Sequence, residues 1–122
     1  MLVTNLAPDF TATTVLGDGT IVEDFKLSEN MGEKGTVLFF YPLDFTFVCP
    51  SELIAFDHRL NEFKSRGVNI IGVSVDSQFS HFAWRETPIN NGGIGRVGYP
   101  LVADLTKQIS KDYDVLFGEA VA

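Results

Sequence analysis

Cys49 is the single cysteine of this 122-residue chain and stands in the stretch FFYPLDFTFVCPSEL, residues 39–53. Proline is favoured at the first position of a helix, so Pro50 places Cys49 at or beside an N-cap. Free N–H groups and the positive end of the helix dipole favour an anion there. A thiolate is such an anion, and helix N-termini lower cysteine pKa values. Thr46, three residues earlier, is close enough for its hydroxyl to donate to the sulfur or to an oxygen bound beside it. Pro42 fixes the chain as it leaves the preceding segment and can shield the sulfur without donating a hydrogen bond. Phe45 and Phe47 add apolar walls. On these residues two readings of Cys49 stand open: a reactive thiol, or inert packing, which is the commoner fate of a free cysteine.

The elements that must hold these residues can be read along the chain. TVLFFY (36–41) is a continuous apolar run that predicts a strand buried on both faces. Leu53, Phe56, Leu60 and Phe63 recur at steps of three and four, which predicts one amphipathic helix from the Cys49–Pro50 start to Arg66-Gly67. VNIIGVSV (68–75) predicts a second buried strand. SQFSHFAWRET predicts a short helix starting near Ser77 and closed by Pro88. NNGGIGRVG is loop, YPLVAD a third strand, and LTKQISKDY a helix capped by Asp104. Upstream, TTVLGDGTIVEDF reads as a hairpin turning at Gly17-Asp18-Gly19. The order predicts one α/β domain over residues 1–122, with a mostly parallel sheet and helices packed on it. Cys49 then lies at the carboxyl end of a strand, where open α/β sheets keep their ligand sites. After the last helix only VLFGEAVA follows, so one sheet edge is expected to be poorly protected.

Composition narrows the partners. Hydrophobic residues make up 45% of the chain and charged residues 20%, as in a globular protein. The formal net charge of −7 argues against nucleic acid or an anionic membrane, both of which need a basic surface. MLVTNLAPDF carries no secretory signal pattern, and a lone cysteine fits a reduced, cytoplasmic setting. His58 and His81 have no second ligand at metal spacing and read as structural, His58 on a solvated surface. Trp84 reads as core or interface packing, or as a pocket wall.

The run Pro42-Leu-Asp-Phe-Thr46-Phe-Val-Cys49 matches the P-x-x-x-T-x-x-C signature of the peroxiredoxins. FYPLDFTFVCPSEL resembles their two-cysteine subgroup, which includes the catalytic subunit of bacterial alkyl hydroperoxide reductase. APDF near the start, GVSVDSQFSHFAW and YPLVAD resemble the same family in the same order, so nearly the whole chain is covered. The resemblance implies a thioredoxin-like fold and thiol-dependent reduction of hydrogen peroxide and alkyl hydroperoxides. Cys49 is then the peroxidatic nucleophile and passes through a sulfenic acid. Thr46 aligns the peroxide, Pro42 shields the sulfur, and Glu52 orients neighbouring side chains. No metal or organic cofactor is implied. The implied partners are further copies of the chain, as a homodimer or ring of dimers, and a thioredoxin-type or flavoprotein disulfide reductase as electron donor.

Two departures accompany the resemblance. None of Arg59, Arg66, Arg85 and Arg96 stands at the position of the family's arginine, which belongs to an R-G-x-F-x-I-D strand. The resolving cysteine is absent too. These departures suggest the N-terminal portion of a longer family domain. By themselves, residues 1–122 leave Cys49 with the helix N-terminus alone, worth roughly 0.3–1 kcal/mol, or under about one pKa unit. A poor peroxidase is the expectation for that piece, and a non-catalytic fragment or holdase-type chaperone is the alternative role. GGIG (92–95) resembles a GGLG loop that the family associates with over-oxidation of the sulfenic acid.

Overall fold

The apolar run at 36–41 and the run at 68–75 lie side by side. In the computed structural model, which describes residues 2–46, 50–118 and 120–122, they form the parallel strands β3 (Gly35–Phe40) and β4 (Val68–Ser74). Their register runs from Gly35 opposite Val68 to Phe40 opposite Val73. Strand β5 (Leu101–Ala103) adds to β4 in parallel. The hairpin of β1 (Thr11–Val15) and β2 (Ile21–Lys26) turns through residues 16–20 and pairs antiparallel onto β5 through β1. The five-strand order is β2-β1-β5-β4-β3. The expected sheet with its N-terminal hairpin is thus a mixed one, β3, β4 and β5 pairing in parallel and the hairpin adding antiparallel at β5.

Side chains alternate between the two faces along each strand, as the pleat demands. Val37, Phe39, Ile70 and Leu101 meet Leu53 and Trp84 on one face. Leu38, Phe40, Ile71, Val73 and Val102 meet Phe25 and Ile109 on the other. Helices α1 (Pro50–His58), α2 (Leu60–Ser65) and α3 (Gln78–Glu86) supply side chains to the first core, and α4 (Gln108–Asp112) to the second.

Two expectations need correction. β3 is the outer strand of the described sheet, and its residues are half-buried rather than buried on both faces. The predicted single helix is broken at Arg59, whose φ of −107° and ψ of 10° leave the helical region. Its N–H divides between the carbonyls of Ala55 and Phe56, both at 3.3 Å. Leu60 and Phe63 still reach the first core, so the apolar stripe survives the break.

The helix start expected near Ser77 and the cap expected from Asp104 are both present, the second with an altered geometry. Ser77 Oγ accepts the N–H of Ser80 at 3.1 Å, closing the start of α3. Asp104 caps α4 from a distance: its buried carboxylate accepts the N–H groups of Ile109 and Ser110 at 3.1 and 2.8 Å. A turn at 104–107, with Lys107 at φ 65°, carries the chain between them. Among the described residues no helix is long and apolar enough to cross a membrane.

Candidate active site

The site is built on the segment that leaves β3. Tyr41 still joins the ladder, its N–H donating to Val73 O at 3.0 Å. Pro42 has no N–H to continue the pairing, and the chain turns away. Phe45 has a left-handed backbone at φ 57°, a conformation that costs a non-glycine residue on the order of 1 kcal/mol. Thr46 ends the turn, and its hydroxyl donates to Leu43 O at 3.3 Å. With the proton so used, its lone pairs are left to accept a hydrogen bond. Thr46 thus adds an acceptor to the donor that the sequence suggested.

Phe47, Val48 and Cys49 lie outside the described residues, so the structural reading of Cys49 rests on its neighbours. α1 begins at the next residue, with Pro50 at its first position as expected. Between the turn and α1 a cleft of about 360 Å³ opens, lined by Phe45, Thr46, Pro50, Ile54, Ile89 and Asn91, with Gly92 and Gly93. The structure thus brings Thr46, the start of α1 and the GGIG loop to one place. Pro42 is half-buried and is not among the lining residues. Glu52 lines a different groove, with Ala55, Phe56, Arg59 and Phe63.

The loop wall of the cleft is tied to α3. Trp84 is wholly buried, and its Nε1–H donates to Gly92 O at 3.1 Å. Gly93 passes so close to the Thr87 carbonyl that a Cβ there would overlap it. Trp84 also packs against Tyr41 and Phe45, with ring centroids 5.9 and 6.0 Å away. It belongs to the core and backs the cleft through Phe45.

Beneath the turn lies a buried polar network that the sequence reading left out. Asp44 Oδ1 accepts the Tyr41 hydroxyl at 2.8 Å, and Asp44 Oδ2 lies 2.6 Å from His81 Nδ1. The Asp44 N–H donates to Asp76 Oδ2 at 2.6 Å. His81 Nε2 faces Val102 O at 2.9 Å, and a carbonyl can only accept, so Nε2 carries a proton. Burial and the Asp44 carboxylate raise the Tyr41 phenol well above its usual range, so it remains a donor. Burial likewise raises the carboxyl of Asp76. A signal was available: Asp44 is the one charged residue between the apolar strand and Pro50, and His81 shares the stripe of Trp84 three residues on. His81 is structural as expected, and fully buried; His58 ends α1, exposed.

Arg85 is buried too, but it serves the hairpin. Its guanidinium donates to Gly17 O in the β1–β2 turn. Arg59 and Arg96 are exposed and pair with Glu62 and Glu86.

Residues 3–122 match the AhpC/TSA family. The chain is 61% identical over 122 residues to alkyl hydroperoxide reductase C of Helicobacter pylori, covering all of this chain and 62% of that protein. It is 56% identical over 110 residues to peroxiredoxin-2 of Macaca fascicularis, covering 90% of this chain and 54% of that one. The crystal structure of reduced Plasmodium vivax 2-Cys peroxiredoxin superposes with a TM-score of 0.91 at 50% identity, over 97% of this chain and 61% of that one. The chain therefore spans about three fifths of the length of these relatives.

Proposed function

As the chain belongs to the AhpC/TSA family, we propose that it serves thiol-dependent reduction of hydrogen peroxide and organic hydroperoxides, with Cys49 as nucleophile. The observation that carries this reading is the cleft joining Thr46 to the first turn of α1, directly beside Cys49 in the chain. The Cys49 thiolate donates an electron pair to one peroxide oxygen, an S–O bond forms and the O–O bond breaks. The leaving oxygen takes a proton and departs as water or alcohol, and Cys49 is left as a sulfenic acid. Thr46 Oγ1, with its lone pairs free, accepts the peroxide O–H and aligns the O–O bond with the sulfur. Pro42 closes the other end of the turn without adding a donor that would compete for the peroxide. The reaction needs no metal or organic cofactor, since sulfur carries both electrons.

The oxidised thiol is returned by a second thiol and then by a thioredoxin-type or flavoprotein disulfide reductase. The protein works in the cytoplasm as a homo-oligomer, a dimer or a ring of dimers. Exposed apolar side chains support self-association: Phe45 and Ile89 are each about half exposed beside the cleft, and Phe79 on α3 is 70% exposed.

The test is the second-order rate constant for hydrogen peroxide oxidation of Cys49 in the full-length gene product, with Cys49→Ser as the blank. A constant several orders of magnitude above that of free cysteine is expected. A constant equal to that of free cysteine would overturn the reading.

A further inference from the structure

We propose that Asp44 and His81 are positioning residues for peroxide reduction, holding the Pro42–Thr46 turn so that Thr46 faces the cleft. The inference rests on the function proposed above. The turn contains a left-handed phenylalanine, which persists only where its surroundings fix it. Besides the packing of Phe45 on Trp84, three polar groups converge on Asp44, two residues before Thr46. Its carboxylate is held by Tyr41 and His81, and its N–H by Asp76. His81 is in turn anchored on the Val102 carbonyl of β5. Through His81 the turn is referenced to helix α3 and strand β5 as well as to the local Tyr41–Asp44 bond, while the Thr46–Leu43 bond is long at 3.3 Å.

One proton lies between Asp44 Oδ2 and His81 Nδ1, while Nε2–H is used by Val102. An asparagine at position 44 can reproduce the same set. Its oxygen accepts from Tyr41, and its amide N–H donates to the bare Nδ1 of a neutral His81. Alanine can reproduce none of it. The pair Asp44→Asn and Asp44→Ala therefore separates the geometry of the turn from the charge beneath it. A group that only supports the fold would affect every reaction of Cys49 alike. A group that places Thr46 affects the reaction that uses Thr46.

The experiment compares two reactions of Cys49 in the full-length protein: oxidation by hydrogen peroxide, and alkylation by iodoacetamide, which needs an accessible thiolate but no aligned O–O bond. Asp44→Ala should lose at least about 10-fold in peroxide rate, since a misplacement near 1 Å can cost about 100-fold. Its alkylation rate should change by less than about 3-fold, because the thiolate itself is untouched. Asp44→Asn should return the peroxide rate to within about 3-fold of wild type, its hydrogen bonds being intact. If Asp44→Ala does not fold, Tyr41→Phe decides: it keeps the ring, removes one donor to Asp44, and should lose about 3- to 10-fold in peroxide rate alone. Peroxide rates unchanged in the folded variant, or both reactions falling together, overturn the proposal. A wild-type rate no better than free cysteine overturns the proposed function and this inference with it. A fast wild type with an equally fast variant overturns this inference only.

Discussion

Trp84 Nε1 donates to the carbonyl of Gly92 at 3.1 Å, so a wholly buried indole on α3 holds the loop that walls the Thr46 cleft. The same loop is pinned by Ile94 N–H to Trp84 O and Gly95 N–H to Thr87 O. A single core side chain thereby sets both the floor of the turn, through Phe45, and the opposite wall.

Trp84→Phe keeps most of the ring packing and deletes that donor. The expected loss is about 1–3 kcal/mol, from smaller volume and an unmet buried carbonyl. Amide hydrogen exchange should accelerate at Ile94 and Gly95 beyond the global change. Exchange there that tracks global stability alone would mean that the indole is filling space and not holding the loop.

Asp76 gives a pH-dependent prediction. Its carboxyl is raised mainly by burial, so the native state holds that proton more tightly than the unfolded chain does. Stability from this group is fully present below the ordinary aspartate range and is lost as pH rises through the raised value. Asp76→Asn keeps an oxygen for the Asp44 N–H and cannot ionise. Its melting temperature should exceed that of wild type at pH 7, with the difference closing as pH falls toward about 4. A gain independent of pH, or a loss at pH 7, would sink this account.

Asp104 bears on stability at the opposite face of the sheet. Its carboxylate accepts three bonds, from the N–H groups of Ile109 and Ser110 and from the Ser110 hydroxyl at 2.7 Å. Asp104→Ala removes a helix cap and strands buried donors, with an expected cost of about 2–3 kcal/mol. Urea denaturation measures it, and a loss under about 0.5 kcal/mol would mean that water replaces the carboxylate.

Local chemistry made much of this protein legible in its residues alone. Apolar runs at 36–41 and 68–75 announced parallel strands, because a strand flanked by two cores has no polar face to alternate with. The SQFSHFAWRET segment announced a helix starting near Ser77, Gly17-Asp18-Gly19 a hairpin, and Pro50 the start of a helix beside Cys49. Each signal acts within a few residues of chain. What only the tertiary structure decided acts across longer separations. Among the described residues the strand order leaves β3 at one end of the sheet, a placement its apolar run did not reveal. Arg59 broke a helix whose apolar stripe is unbroken in sequence, since the stripe records which residues face the core and not whether the backbone stays regular. Asp44 and His81, 37 positions apart, met only when α3 packed beneath the turn. A buried hydrogen bond between distant residues leaves no periodicity behind, and its partners are known only once the fold has removed water from both.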